Sequence, residues 1–235
     1  MIDIHCHLLP FTDDGPRSWE DAYAMCELAI QNGISHIVAT PHCNSRYRFD
    51  RSAAQEKVDH LASRFPALGV SIGCEFTLGP SNLDAIASCP DHFTIGDTGY
   101  ILVELSDVLR PRQNEEGLQE LIGLGLKPVL AHVERNTLFR KHPSLFEDWI
   151  SMGCISTVTG NSLTGFFGHE IRALTEKFLK RGWVDCIVSD GHDPVRRPPV
   201  LSGAVAAASR LIGLVAAQRL VKENPERIVA GSPIP

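Results

Sequence analysis

Histidine and carboxylate residues recur along this chain at positions from which they could bind metal ions. His5 and His7 are separated by one residue, so both imidazoles face the same side of an extended strand. Asp190 and His192 repeat that spacing near the other end of the chain. A single pair is weak evidence, because histidines at this spacing also arise by chance. The full set of candidate ligands is His5, His7, Asp14, His42, Glu75, Glu104, His132, Asp190 and His192.

Each candidate has an ordinary structural explanation when it is considered alone. An aspartate can cap a helix, a glutamate can form an ion pair and a histidine can hydrogen-bond in a core. Taken together, so many imidazole nitrogens and carboxylate oxygens are typical of sites for divalent manganese, iron or zinc. One ion cannot accept all of these ligands, so the pattern predicts two or three ions. Carboxylates gathered without cations would also repel one another.

The candidate ligands lie at or just after the ends of short apolar segments. These segments alternate with longer ones of helical periodicity, which predicts βα units and a mostly parallel sheet. Strands are predicted over residues 2–4, 34–39, 70–73, 100–105, 127–131, 154–158 and 184–188. Helices are predicted over residues 18–32, 52–65, 113–124, 143–152, 169–181 and 199–222. Side chains from so many strand ends can meet only around a ring, which favours the C-terminal mouth of a barrel over an open, doubly wound sheet.

The composition narrows the class of protein. The 235 residues are 43% hydrophobic, so we expect a single domain spanning residues 1–235. The formal net charge of −6 argues against a nucleic-acid partner. We expect neither a secretory signal nor membrane insertion, because no segment has the required pattern, and this predicts a cytoplasmic location.

The seven cysteines argue against thiol chemistry. They are scattered and form no Cys-x-x-Cys pair, as is typical of reduced thiols. Cysteine-dependent tyrosine phosphatases need an arginine six positions after the nucleophile, and no cysteine here has one. Metal-assisted chemistry is therefore favoured over a thiolate nucleophile.

The motifs together resemble those of the polymerase-and-histidinol-phosphatase (PHP) superfamily, over nearly the whole chain. The similarity is greatest to the bacterial manganese-dependent protein-tyrosine phosphatases associated with capsule and exopolysaccharide synthesis. The opening Met-Ile-Asp-Ile-His-x-His pattern and the Asp-Asp-Gly-Pro turn are specific to that branch. The motifs are His5-Cys6-His7, Asp13-Asp14-Gly15-Pro16, Ala39-Thr40-Pro41-His42, Gly73-Cys74-Glu75, Glu104, Ala131-His132-Val133-Glu134-Arg135 and Ser189-Asp190-Gly191-His192.

The resemblance implies an α/β fold of the distorted (β/α)7 TIM-like barrel type, the PHP fold, with a three-metal site at the C-terminal ends of the strands. It also implies a cytoplasmic enzyme that acts on a tyrosine autokinase. Arg135 and Arg197 are implied to contact phosphate, although adjacent Arg196 could take the place of Arg197. Guanidinium groups suit this role because they bind phosphate oxygens bidentately.

We therefore expect metal-dependent hydrolysis of phosphotyrosine on a protein, with manganese as the first choice of metal and iron or zinc as alternatives. Aryl esters are favoured chemically, because tyrosine phenolate, with a pKa of about 10, leaves more easily than a serine alkoxide. Three alternatives stay open. The first is a small-molecule phosphatase of the histidinol-phosphate type. The second is a proofreading nuclease, which the acidic net charge disfavours, and the third is a non-catalytic, metal-stabilised binding module.

Overall fold

The computed structural model describes residues 1–234, and strands alternate with helices along them. The strands are β1 (Ile2–Cys6), β2 (His36–Ala39), β3 (His42–Cys43), β4 (Gly69–Ile72), β5 (Glu75–Thr77), β6 (Tyr100–Glu104), β7 (Lys127–Leu130), β8 (Ile155–Thr159) and β9 (Cys186–Val188). The α-helices are α1 (Trp19–Gln31), α2 (Arg51–Arg64), α3 (Pro80–Ser88), α4 (Pro111–Gly123), α5 (Thr137–Lys141), α6 (Pro143–Ser151), α7 (Gly160–Thr164), α8 (His169–Lys180), α9 (Ser202–Ile212), α10 (Leu214–Arg219) and α11 (Glu223–Val229). A 3-10 helix covers Pro90–Phe93.

The paired strands run parallel to one another in two sheets, ordered β1-β2-β4 and β3-β5-β6-β7-β8-β9. The chain passes from the first sheet to the second at two neighbouring breaks, between β2 and β3 and between β4 and β5. Main-chain hydrogen bonds continue across both breaks, from Gly73 N to Ala39 O and from Glu75 N to Pro41 O, each 2.9 Å long. This continuity places His42 directly opposite Glu75 in the register of β3 and β5.

The end of the last strand lies beside the end of the first. Asp190 N donates to His5 O at 2.9 Å, and His7 N donates to Gly191 O at 2.8 Å. Cys6 and Gly191 form a parallel bridge between these segments. The pairing brings the residues that follow β9 alongside the histidines at the end of β1.

Amphipathic helices cover the sheets, and α1 is an example. Ser18 caps its first turn by accepting a hydrogen bond from Asp21 N. The helix buries residues that recur every three or four positions, and full burial of one such side chain, Met25, contributes about 1.5–3 kcal/mol. The buried residues of α1 are Ala22, Met25, Cys26 and Ala29.

The expected α/β architecture with parallel strands is confirmed, and the differences are local. The predicted helix over 199–222 is divided into α9 and α10, because the chain turns at Gly213 with a φ of 84°. Glycine adopts that conformation at little cost. The sequence prediction omitted the short strands β3 and β5 and the short helices α3, α5, α7 and α11. Among the helices within residues 1–234, none has the length and apolar character needed to cross a membrane.

Candidate metal centre

The nine predicted ligands lie together at the carboxyl ends of the strands. Donor atoms in each of three overlapping groups lie within 4.8 Å of one another. His132 Nε2 lies 2.7 Å from Glu75 Oε1, and Asp190 Oδ1 lies 3.5 Å from Nε2 of both His5 and His7. The three groups are His7 with Asp14, His42 and His192; His5 with His7 and Glu75; and His42 with Glu75 and Glu104.

The deepest part of the cluster consists of His5, His7 and Glu75, which are almost completely buried. The two imidazoles face each other through their Nε2 atoms, which are 3.3 Å apart. Glu75 Oε1 lies 3.4 Å from His5 Nε2, and Glu75 Oε2 lies 3.4 Å from His7 Nε2. Ring nitrogens and carboxylate oxygens therefore converge on one buried point from three directions.

Several buried donor atoms of the centre have no hydrogen-bond partner among residues 1–234: His5 Nδ1, His42 Nδ1 and Glu75 Oε2. His42 Nδ1 and Glu75 Oε2 are only 2.8 Å apart, yet their angles do not make a hydrogen bond. A buried polar atom without a partner costs about 1–3 kcal/mol. A divalent cation coordinated by this nitrogen and this oxygen would remove that cost, so the donor set fits a bound metal.

Asp13, which sequence reasoning passed over in favour of Asp14, orients two of the histidines. Its Oδ2 lies 2.6 Å from His7 Nδ1 and accepts a hydrogen bond from His42 N at 2.9 Å. The turn can close against β1 because residue 15 is glycine, since a Cβ at Gly15 would lie 2.7 Å from His7 O. A carboxylate behind an imidazole is the usual support of a metal-ligating histidine. The adjacent pair Asp13-Asp14 was the only signal of this role in the sequence.

The exposed side of the centre contains Asp14 and Glu104, with His192 buried next to Asp14. Asp14 Oδ1 lies 3.4 Å from His42 Nε2 and 3.5 Å from His192 Nε2, and the Asp14 side chain is 51% exposed. Glu104, at the end of β6, accepts a hydrogen bond from Thr77 Oγ1 at 2.8 Å. This side of the cluster is therefore open to a substrate.

His132 and Asp190 have left-handed backbone conformations, with φ of 33° and 52°. Such conformations cost about 1–3 kcal/mol for residues other than glycine and accumulate at functional sites. Hydrogen bonds from His132 N to Thr157 Oγ1 and from Asp190 N to His5 O hold the two turns. The turns direct both side chains back toward the centre.

Two arginines converge on one carboxylate oxygen at the rim of the centre. Arg135 Nη1 lies 2.8 Å from Asp190 Oδ2, and Arg197 Nη2 lies 2.6 Å from the same atom. Arg196, the alternative considered from the sequence, is exposed and uses its backbone N–H to bind Asp193. The structure therefore places Arg197, and not Arg196, beside the cluster.

Charges in the centre compensate one another. Burial opposes ionisation of Glu75, but His5, His132 and His42 lower the pKa of this carboxyl well below its usual range. Burial also opposes ionisation of Asp190, and His5 and Arg135 together outweigh it, so the pKa of Asp190 is again lowered. Both carboxylates are thus held in the anionic form that a metal cation requires.

Two further residues near the centre were absent from the sequence prediction. Asp3 is fully buried beneath it and accepts hydrogen bonds from the hydroxyl and the N–H of Ser189, which fixes the start of the turn that carries Asp190. Phe167 lies against both arginines, 4.9 Å from Arg135 Cζ and 6.0 Å from Arg197 Cζ. Asp3 lies inside the opening Met-Ile-Asp-Ile-His-x-His pattern, but that pattern gave no indication of its role, and Phe167 belongs to none of the quoted motifs.

Sequence comparisons identify a family and relatives that this chain resembles over most of its length. A family model described as "Capsular polysaccharide synthesis, CpsB/CapC" matches residues 1–230. Tyrosine-protein phosphatase YwqE of Bacillus subtilis (strain 168) is 34% identical over 198 residues, covering 82% of this chain and 78% of the relative. Tyrosine-protein phosphatase CpsB of Streptococcus pneumoniae is 29% identical over 239 residues, covering 97% and 98%.

Solved structures extend the comparison to the fold. A chain from the crystal structures of YwqE from Bacillus subtilis and CpsB from Streptococcus pneumoniae, described as metal-dependent tyrosine phosphatases, superposes with a TM-score of 0.91. It is 31% identical and covers 100% of this chain and 96% of that one. A histidinol phosphate phosphatase from Lactococcus lactis subsp. lactis Il1403 superposes with a TM-score of 0.57 at 12% identity, covering 95% and 93%. That second likeness concerns the fold alone.

Proposed function

The chain belongs to the CpsB/CapC family of capsular polysaccharide synthesis, and from that membership we propose that it is a metal-dependent protein-tyrosine phosphatase. The relatives named tyrosine-protein phosphatase match most of its length. One observation in this chain carries the proposal: the nine candidate metal ligands, seven of them in the three donor groups, lie directly beside two arginines that share Asp190. Groups that can bind metal ions and groups that can bind phosphate are thus combined at one site.

We propose that two or three divalent ions are held by the nine side chains, with manganese as the physiological metal; iron and zinc would suit the same donors. The overlap of the three donor groups at His7, His42 and Glu75 supports more than one ion. Bound divalent ions supply Lewis acidity and make water available as a nucleophile near neutral pH. The ligands are His5, His7, Asp14, His42, Glu75, Glu104, His132, Asp190 and His192.

Arg135 and Arg197 are proposed to hold the phosphoryl group. Two guanidinium groups share a single carboxylate oxygen of Asp190, so one of their positive charges is left uncompensated at this point. Arg197 Nη2 also donates to the backbone O of Asp190 at 3.1 Å, so Asp190 holds this guanidinium at the rim of the centre. Bidentate donors of this kind neutralise the charge that develops on the phosphoryl oxygens in the transition state.

The remaining groups near the centre fit hydrolysis of an aryl ester. Tyrosine phenolate has a reference pKa of about 10, so it can leave with little help from a general acid. Cys6 lies between His5 and His7, but burial raises the pKa of its thiol well above the usual range. The side-chain chemistry available here therefore favours attack by water over attack by a thiolate.

We also propose the finer features that this function implies. The strands would form a closed, distorted (β/α)7 barrel, supported by the pairing of the segment after β9 with β1. The chain would act as a single domain over residues 1–235, in the cytoplasm, on a bacterial tyrosine autokinase of capsule or exopolysaccharide synthesis.

Steady-state hydrolysis of a phosphotyrosine peptide and of histidinol phosphate tests the proposal. The protein is stripped with a chelator, assayed, and then resupplied with manganese. We expect activity that returns with metal and prefers the peptide. Preference for histidinol phosphate, or manganese-loaded protein without activity on the peptide, would refute the proposed function. The same assay on Arg197→Lys, with Arg196→Lys as its matched control, tests the role of Arg197 separately.

A further inference from the structure

Two phenylalanines occupy the short connection between α7 and α8. Gly165 and Gly168 bracket them with φ of 91° and 92°, so the connection is a tight loop that positions both rings. Phe166 is 51% exposed, and its ring meets that of Phe167 at 5.0 Å with an interplanar angle of 87°. The two rings together therefore present an aromatic surface at this loop.

Phe167 is placed by its contacts with the two arginines at the rim. Its ring lies 4.9 Å from Arg135 Cζ and 6.0 Å from Arg197 Cζ, within the range of cation–π contact. Both guanidinium groups also reach Asp190 Oδ2. The same two arginines are therefore in contact with an aromatic ring on one side and with the metal centre on the other.

We propose that Phe166 and Phe167 form an aromatic wall that receives the phenyl ring of a phosphotyrosine and so selects aryl over alkyl phosphate esters. The inference rests on the proposed function, and it adds the residues that discriminate between substrates. The phenyl ring of phosphotyrosine is joined to phosphorus through one oxygen. When the arginines hold the phosphoryl oxygens, that ring must lie within a few ångströms of them, on the side where Phe167 contacts the arginines and Phe166 contacts Phe167.

Aromatic pairs are attractive at centroid separations of about 4.5–7 Å and contribute about 0.5–1.5 kcal/mol beyond the burial of their area. A phosphoserine or another alkyl ester offers no ring to the wall and gains nothing from it. The wall thus provides a difference in binding between two substrates that share the same phosphoryl group.

Phe167 could instead act only by supporting the two arginines. In that case its loss would weaken every phosphorus ligand equally, because the arginines bind the phosphoryl group and not the organic part. Phe166 separates the two explanations more clearly, since no contact between Phe166 and either arginine is found among the cation–π pairs of residues 1–234.

Binding of phenylphosphonate and methylphosphonate to the manganese-loaded protein tests the wall without any turnover. Isothermal titration calorimetry is carried out on the wild type and on Phe166→Leu, Phe167→Leu and Phe167→Tyr. We expect each leucine variant to bind phenylphosphonate about three- to tenfold more weakly, with methylphosphonate affinity and metal content unchanged. Phe167→Tyr keeps an aromatic ring and should restore the wild-type ratio.

The proposal is overturned if the phenyl-to-methyl affinity ratio is the same in the wild type and in both leucine variants. Equal weakening of both phosphonates would identify Phe167 as a support for the arginines only, which also overturns it. The kinetic counterpart is KM for a phosphotyrosine peptide, which should rise in the leucine variants while kcat changes little. Because the calorimetry needs no catalysis, an inactive wild type would refute the proposed function without affecting the measured ratio.

Discussion

His36 and His42 lie only six positions apart in the chain, at opposite ends of the strands, and the protein gives them opposite properties. His36 begins β2, where its Nε2 lies 2.9 Å from Ser71 Oγ and burial lowers the pKa of the imidazole. His42 lies in the metal centre, where burial also opposes the charge but contacts with Asp14 and Glu75 raise its pKa to about 10. The residue type is the same, and the neighbours supplied by other strands differ.

Two aspartates that flank β9 repeat this contrast. Asp185 precedes the strand, accepts a hydrogen bond from Ser156 N at 2.8 Å, and has its pKa raised by burial. Asp190 follows the strand, and the surrounding His5 and Arg135 overcome burial and lower its pKa. At the amino ends of the strands, His36 and Asp185 thus have hydrogen bonds to uncharged groups. The carboxyl ends gather opposite charges, which is the arrangement that can bind cations and phosphate.

The largest expected effect is a loss of activity on substitution of Asp190 that substitution of Asp185 does not cause. Asp190→Asn changes a proposed metal ligand and the anchor of both arginines, so we expect kcat/KM for a phosphotyrosine peptide to fall by more than about 100-fold, with loss of the manganese that the stripped protein is given. Asp185→Asn keeps the hydrogen bond with Ser156 and should leave activity and metal content within about twofold of the wild type. Assays and elemental analysis of the two variants side by side check the contrast. Similar losses in both would show that the two ends of β9 are not functionally distinct.

A second comparison tests the rim of the centre. Arg197→Lys replaces a bidentate donor with a point charge, and we expect kcat/KM to fall by about 100-fold while metal content is retained. Arg196→Lys makes the same chemical change at the adjacent, exposed position and should leave kcat/KM unchanged. Equal effects at the two positions would contradict the assignment of Arg197 as the phosphate-binding residue.

A third pair of variants compares the residue that orients His7 in the candidate metal centre with the residue that contacts His36 at the other end of the strands. Asp13 orients His7 in the metal centre, so Asp13→Asn should weaken manganese binding by about 10- to 100-fold. Ser71 supports His36 at the other end of the strands, and Ser71→Ala should leave manganese affinity unchanged while it lowers the melting temperature. Titration of stripped protein with manganese measures both. Unchanged affinity in Asp13→Asn would mean that this carboxylate does not orient a ligand.

The smallest effect concerns the pH dependence of stability at the amino ends. The pKa of His36 is lowered in the folded state, so the neutral imidazole is the form that the fold favours. The contribution of neutral His36 to the free energy of unfolding is present above the unfolded-state pKa of about 6.5 and is lost as pH falls below that value. Thermal melts of chelator-treated wild type and His36→Gln between pH 8 and pH 5 should show a steeper decline in the wild type. Parallel curves would contradict this assignment.

Much of the fold could be predicted because it follows from short-range patterns. The helical spacing of the residues buried by α1 and the apolar runs of β6 and β7 identify those elements without any knowledge of their partners. The short strands β3 and β5 could not be predicted. They hold only two and three residues, and their conformation depends on pairing across the breaks that follow β2 and β4.

The candidate site likewise has features that short-range patterns predict and features that depend on tertiary contacts. The sequence by itself determined which donor types are available and that His5 and His7 share a face, because alternation along a strand is a property of the covalent backbone. Only the tertiary structure decided that Arg197 and not Arg196 reaches Asp190, that Asp13 supports His7, and that Phe167 lies against the arginines. Contacts and charge states of this kind depend on burial and on residues brought from distant parts of the chain, and no local pattern records them.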